Sequence, residues 1–109
     1  MTVEPFDDLD DLFEKMSANM DAADTRVKPW QAHLKPGDYF VRWSFLGFSI
    51  YGEILHEDEP RDKGLEHYRL CRAYSVACPQ GDVGDVHVST IDALLSKRTF
   101  EDAKTRGWA

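Results

Sequence analysis

The stretch KPGDYFVRWSFLGFSIYGEIL, residues 35–55, decides the fold. Lys35, Pro36, Gly37 and Asp38 are a turn signal, because Pro presets one backbone angle and Gly accepts conformations other residues avoid. Tyr39, Val41, Trp43 and Phe45 then alternate with Phe40, Arg42 and Ser44, the period-two pattern of a strand. Leu46 and Gly47 make a short connection, after which Phe48, Ile50 and Ile54 alternate with Ser49, Tyr51 and Glu53 to a strand end near His56. Two such runs joined so closely read as an antiparallel hairpin. In that reading Tyr39, Trp43, Phe45 and Phe48 occupy one sheet face, and Phe40 and Tyr51 the other. Gly52 interrupts the second strand, where a missing side chain marks a bulge or a close backbone approach.

Downstream, EDEPRDKGL (residues 57–65) carries six charges without apolar periodicity and reads as an exposed loop. A third strand is expected from Glu66 to Cys78, with Tyr68, Leu70, Tyr74 and Val76 opposite His67, Arg69 and Ser75, and Arg72 breaking the pattern. So long a strand implies a bend, as in a sheet that curls into a small barrel. Pro79, Gln80, Gly81 and Asp82 turn the chain, and Val86 and Val88 flank His87 in a short fourth strand. Ser89 or Thr90 is placed to cap a short helical turn through Ile91 to Leu95. Thr99 followed by Asp102 resembles a capping box for a helix at about 100–106. Gly107 suits the left-handed exit of that helix, and Trp108 is expected to pack back onto the domain.

Upstream, Phe6, Leu9, Leu12, Phe13, Met16 and Met20 recur at intervals of three and four, one face of an α-helix at about residues 6–22. Pro5 suits its first turn, and the Asp residues that follow favour the positive end of the helix dipole. The charge is concentrated there. Residues 1–25 hold eight acids and one base, which accounts for the whole net charge of −7, while residues 26–109 are formally neutral. The expected organisation is therefore an acidic amphipathic helix within residues 1–25 and a small β-rich domain with a C-terminal helical segment over residues 26–109. The fold class is α+β with a strongly curved four-stranded antiparallel sheet and short C-terminal helices. Its expected form is a small SH3-like barrel, since Pro36-Gly37-Asp38 before a β-hairpin is how many such barrels open; that fold-level likeness carries no function.

The composition narrows the functional classes. The longest uncharged stretch, Trp43 to Gly52, is far short of the roughly 20 apolar residues that span a bilayer. The acidic start MTVEPFDDLDDLFEK is unlike a secretion signal, so a cytoplasmic location is expected and no membrane association. Cys71 and Cys78 would lie roughly 23 Å apart on opposite faces of one strand, so they are expected as free thiols. His67 and Cys71 share a strand face and His87 approaches if the third and fourth strands pair, but a metal site needs more ligands than these. No nucleophile elbow or phosphate loop is present: Gly81-Asp82-Val83-Gly84-Asp85 lacks the length of a Ca²⁺ loop and the Lys and Ser or Thr of a P-loop. No catalytic residue, metal or cofactor is expected.

Binding is the expected function. The chain has 3 Trp, 4 Tyr and 6 Phe, more rings than four strands bury unaided. An aromatic patch left exposed marks an interface. The expected partner-binding residues are Phe40, Leu46, Phe48 and Tyr51 on the sheet and hairpin tip, with Leu9, Leu12, Phe13 and Met16 on the acidic helix. The partner is another protein or a second copy of the chain. The competing class is nucleic acid, either single strands bound by Arg26, Lys28, Lys35, Arg42, Arg69 and Arg72 beside Trp30, Trp43 and Tyr68, or mimicry of nucleic acid by the acidic helix.

Overall fold

The computed structural model describes residues 5, 7–12, 14, 27–43, 49–57 and 65–108. Its centre is an antiparallel sheet of five strands: β1 (Tyr39–Trp43), β2 (Ser49–Ile54), β3 (Tyr68–Tyr74), β4 (Asp82–His87) and β5 (Ala93–Leu95). Their spatial order is β4-β3-β2-β1-β5. Helical residues 9–12 and 14 form α1, Pro29–Ala32 form α2 and Lys97–Thr105 form α3, so the chain is an α+β protein. Among the described residues, no helix is long and apolar enough to cross a membrane.

The strand count corrects the four expected. Ala93–Leu95, expected as a helical turn, instead extends β1 with Tyr39 opposite Leu95 and Val41 opposite Ala93. Ala and Leu favour helix by themselves, but the edge of β1 carries backbone donors and acceptors that pairing satisfies. The outer strands β4 and β5 are not neighbours, so the sheet is open and the closure that an SH3-like barrel needs is not formed. The long third strand also ends early, at Tyr74. Ser75 and Cys78 exchange both backbone hydrogen bonds (3.2 and 3.1 Å), which reverses the chain and leaves Val76 half exposed at the tip.

Register, more than strand count, decides the interior. A two-residue connection at Leu46-Gly47 would set Tyr51 opposite Arg42, on the face of Phe40. The observed pairing sets Arg42 opposite Ile50, Val41 opposite Tyr51 and Phe40 opposite Gly52. That one-residue difference sends every β2 side chain to the other face. Phe40 and Tyr51 therefore lie on opposite faces, which corrects the expectation that they share one.

Each face has its own core. On the Tyr51 face, Leu9 and Leu12 of α1, Phe100 and Ala103 of α3, and Trp108 pack over Val41, Tyr51, Ala93 and Leu95. On the Phe40 face, Val27, Trp30, Leu34, Val88 and Ile91 pack over Phe40, Ile54, Cys71, Val86 and Leu94. Gly52 is required there. The Phe40 ring lies across it, and a Cβ at 52 would overlap the ring atoms.

The helix ends are set by local chemistry. Asp8, not Pro5, opens α1: its carboxylate accepts the Asp10 N–H (2.9 Å) and its carbonyl the Leu12 N–H (3.1 Å). Ser96, not Thr99, caps α3, its Oγ accepting the Thr99 N–H at 3.2 Å, so the helix starts three residues earlier than expected. The C-terminus of α3 follows the anticipated left-handed exit. Gly107 has φ +75°, its N–H bonds Lys104 O (3.0 Å), and the Trp108 N–H bonds Ala103 O (2.8 Å). Those two bonds are a Schellman motif, which turns Trp108 back onto the helix and the sheet. Trp108 is 3% exposed, as expected of a Trp that packs back. It stacks on Tyr74 (4.5 Å between ring centroids), touches Tyr51 and Phe100, and donates its indole N–H to Pro79 O at 3.2 Å. Its own φ of +66° is costly for a bulky residue, and the ring contacts offset that cost.

Candidate functional site

Two polar side chains that look available in the sequence are used inside the fold. Gln31, buried in α2, accepts the Lys28 N–H (2.8 Å) and donates to Ile91 O (2.9 Å), fastening α2 to the 3₁₀ turn Val88–Thr90 and its exit. Arg69 donates to the carbonyls of Leu34, Ala32, Glu66 and Tyr68, so its guanidinium holds the end of α2 to the start of β3. These clamps close the Phe40 face over Phe40, Ile54, Cys71 and Val86, while Asp82 and Gly84 on the same face stay exposed.

The Tyr51 face is completed only at one end. Its β1, β2 and β5 residues lie under α1, α3 and Trp108, and Tyr74 at the end of β3 joins that cluster. The rest of β3 and all of β4 present Tyr68, Leu70 and Arg72 beside His87, Asp85 and Val83, each directly opposite its partner. Arg72 is also opposite Glu53. Val83 is 50% exposed, Arg72 and Asp85 are exposed, and Tyr68, Leu70 and His87 are half-buried. Among the described residues, neither helical layer packs on this strip. Its platform is rigid, because Cys71 and Val86 beneath it are sealed into the Phe40 core.

At one end of the strip, Tyr68 meets His87 edge-on at 4.9 Å, and the His67 and His87 ring centroids are 6.1 Å apart. His87 Nδ1 accepts the Ser89 N–H (3.2 Å) and lies 2.7 Å from Ser89 Oγ. A backbone N–H only donates, so Nδ1 is the unprotonated nitrogen of this ring. The Ser–His contact is thus the cap of the 3₁₀ turn that follows β4. Cys71 faces the opposite side of the sheet from His87, so the histidines and this thiol do not converge. Among the described residues, no group of three or more His, Cys, Asp or Glu is placed to hold a metal ion. Cys71 and Cys78 are free thiols. Burial, reinforced by the charge of Asp85, pushes the Cys71 thiol up to about 11, which makes it unreactive near neutrality.

The residues expected to bind a partner are placed as follows. Phe40 and Tyr51 are both 0% exposed, each at the heart of a different core. Burial also raises the Tyr51 hydroxyl above the ordinary tyrosine range. Leu9 and Leu12 are 1% and 0% exposed, buried against the chain's own sheet. Leu46, Phe48, Phe13 and Met16 lie outside the described residues. Nor do the bases gather into one strip: Arg42 and Arg69 are on the Phe40 face and Arg72 on the other, while Trp30 packs on the Phe40 core. Arg26 lies outside the described residues. The strip on β3 and β4 is not visible in a fourth strand that starts only at Val86, which leaves Val83 and Asp85 outside it; β4 starts at Asp82. The alternation Asp82, Gly84, Val86 against Val83, Asp85, His87 is the signal that marks it as strand.

Comparison with protein-family models, curated proteins and solved structures gives no match to this chain.

Proposed function

We propose that the chain is a small non-catalytic protein-binding module that docks one protein partner or a second copy through the uncovered β3–β4 end of its sheet. One observation carries this reading. Among the described residues, helices, turns and rings cover the sheet over β1, β2 and β5 and leave uncovered, on the Tyr51 face, the strip Tyr68, Leu70, Arg72, Val83, Asp85 and His87. Half-exposed apolar side chains on a rigid sheet, rimmed by charge, have the make-up of a compact interface. The aromatic sheet face and the acidic helix, both expected from the sequence to be the binding elements, instead support the strip from behind and from the side through Phe40, Tyr51, Leu9 and Leu12.

The test is a double change, Leu70→Lys with Val83→Lys. It should leave the urea-unfolding free energy within about 1 kcal/mol of wild type, as expected for partly exposed positions. It should abolish the self-association seen by light scattering or the partner retained from the source cell, whichever the wild-type chain shows. An association that survives with full strength moves the function to another surface.

A further inference from the structure

The cap of the 3₁₀ turn Val88–Thr90 differs in kind from the cap of α3. At Ser96 a hydroxyl oxygen accepts the Thr99 N–H (3.2 Å), and a hydroxyl keeps its lone pairs whatever the pH. At His87 the acceptor is the ring nitrogen Nδ1, which takes the Ser89 N–H (3.2 Å) and lies 2.7 Å from Ser89 Oγ. A neutral imidazole has one bare nitrogen, and an added proton must go there. In His87 that nitrogen is the cap itself. Histidine is the side chain that ordinarily takes up a proton between about pH 8 and about pH 5, and the half-buried His87 is in reach of solvent.

The turn is anchored from several sides. Val88 and Ile91, 0% and 1% exposed, belong to the Phe40 core. Gln31 of α2 donates to the carbonyls of Ser89 (3.4 Å) and Ile91 (2.9 Å), the Thr90 hydroxyl donates to His87 O (2.7 Å), and the Val88 N–H bonds His67 O (2.9 Å). None of these bonds involves the His87 ring, so what a proton on Nδ1 releases is the Ser89 N–H alone. Charge acts around the same ring. The His67 ring lies 6.1 Å away, and Tyr68 meets His87 edge-on. The other titratable and charged groups on the surrounding elements are Asp85 on the same face of β4, Glu66 and Arg69 beside the His67–Tyr68 pair, Glu57 past the end of β2, and Lys28 and His33 at the two ends of α2. The acids favour a positive ring and the bases oppose it, but neither can return a lone pair to Nδ1.

We propose that His87 is an acid-operated cap: proton uptake at Nδ1 turns the acceptor of the Ser89 N–H into a donor to Ser89 Oγ, which frees the Ser89 amide at the end of the open strip while the anchors from α2 and β3 hold. The proton comes from solvent, and the Ser89 hydroxyl accepts the new bond through a lone pair. Such a cap acts in the chain alone and does not depend on the binding-module reading.

The test uses the full ¹⁵N-labelled chain. At about pH 8 the imidazole nitrogen shifts of His87 should show Nδ1 bare and Nε2 protonated. On acidification to about pH 5, the protection of the Ser89 amide against exchange, taken relative to an unstructured amide at the same pH, should fall about fivefold, the effect of losing a cap. Thr99 should keep its protection. His87→Asn, whose side-chain oxygen accepts the same N–H and does not titrate, should hold the Ser89 protection level over that range. A Ser89 protection that does not fall overturns the proposal, as does an equal fall at Ser89 and Thr99, or a His87 that carries its proton on Nδ1 at about pH 8. The wild-type ratio of Ser89 to Thr99 decides the matter even where the Asn variant does not fold.

Discussion

Among the described residues, both faces are covered at the β1–β5 end of the sheet, while at the β3–β4 end the Tyr51 face is open and the Phe40 face is covered only in part, over Cys71 and Val86 but not over Asp82 and Gly84. The difference lies in what each end has within reach. The covered end has α3, whose Schellman exit aims Trp108 across Tyr51 and Tyr74, and α1, whose Leu9 and Leu12 point into the same cluster. The other end has the clamps of Gln31 and Arg69 beneath it and, among the described residues, no element above it. Burial at one end and a firm but open sheet at the other is an arrangement in which stability and the proposed binding are separable.

That separation is open to attack, starting with the sealed end. Trp108→Ala removes ring contacts to Tyr51, Tyr74 and Phe100 and leaves Pro79 O without its donor. Urea unfolding should show a loss of about 4 kcal/mol; a loss below about 1 kcal/mol would mean that the C-terminal ring does not seal the Tyr51 face. Gly52→Ala comes next, at about 3 kcal/mol, because the added methyl displaces the Phe40 ring. Combined with Phe40→Ala, which vacates that space, it should cost clearly less than the two separate losses together.

The pH dependence is a third probe of the sealed cores. The buried Cys71 thiol, at about 11 in the folded chain, holds its proton at a pH where an unfolded thiol has lost it. Its contribution is complete below the unfolded value of roughly 8.5 and is lost as pH rises through about 11. Tyr51, also raised by burial, adds to the loss at higher pH. Urea midpoints should fall between pH 8.5 and 11, and Cys71→Val should flatten that fall. A slope unchanged in the variant would show that the thiol is not the titrating group.

The smallest effects sharpen the contrast. Ser96→Ala, which deletes the cap of α3 at the sealed end, should cost about 1 kcal/mol. Gly84→Ala, at the open end, meets nothing within 4 Å and should stay within about 0.5 kcal/mol of wild type or stabilise slightly. The same chemical change at Gly52 and Gly84 thus reads the difference between the two ends in a single pair of melts.

Much of this architecture is legible in residues 35–55, and its central error is instructive. Period-two alternation marks β1 and β2 as strands, but alternation is silent about register, and a connection one residue shorter or longer fits it equally. Reading Leu46-Gly47 as the connection put Phe40 and Tyr51 on one face, and with them a binding surface that the fold buries. β5 was hidden for a different reason. Three residues are too few for a pattern, and Ala93, Leu94 and Leu95 prefer helix until β1 offers an edge. The β3–β4 strip carries a weak signal of its own, since the glycine and the acids of DVGDVH resemble a turn as much as a strand.

By itself the sequence determined the α+β class, the hairpin, the helix at residues 9–12 and 14, a bulge or close approach at Gly52, the left-handed exit at Gly107 and the inward packing of Trp108. All of these follow from local rules: periodicity, helix termini, and the conformations that Gly and Pro allow. The tertiary structure decided the fifth strand, the one-residue register and which half of a face stays uncovered. Each depends on contacts between residues distant in the chain, where satisfying a neighbouring strand's backbone groups outweighs what the local residues prefer.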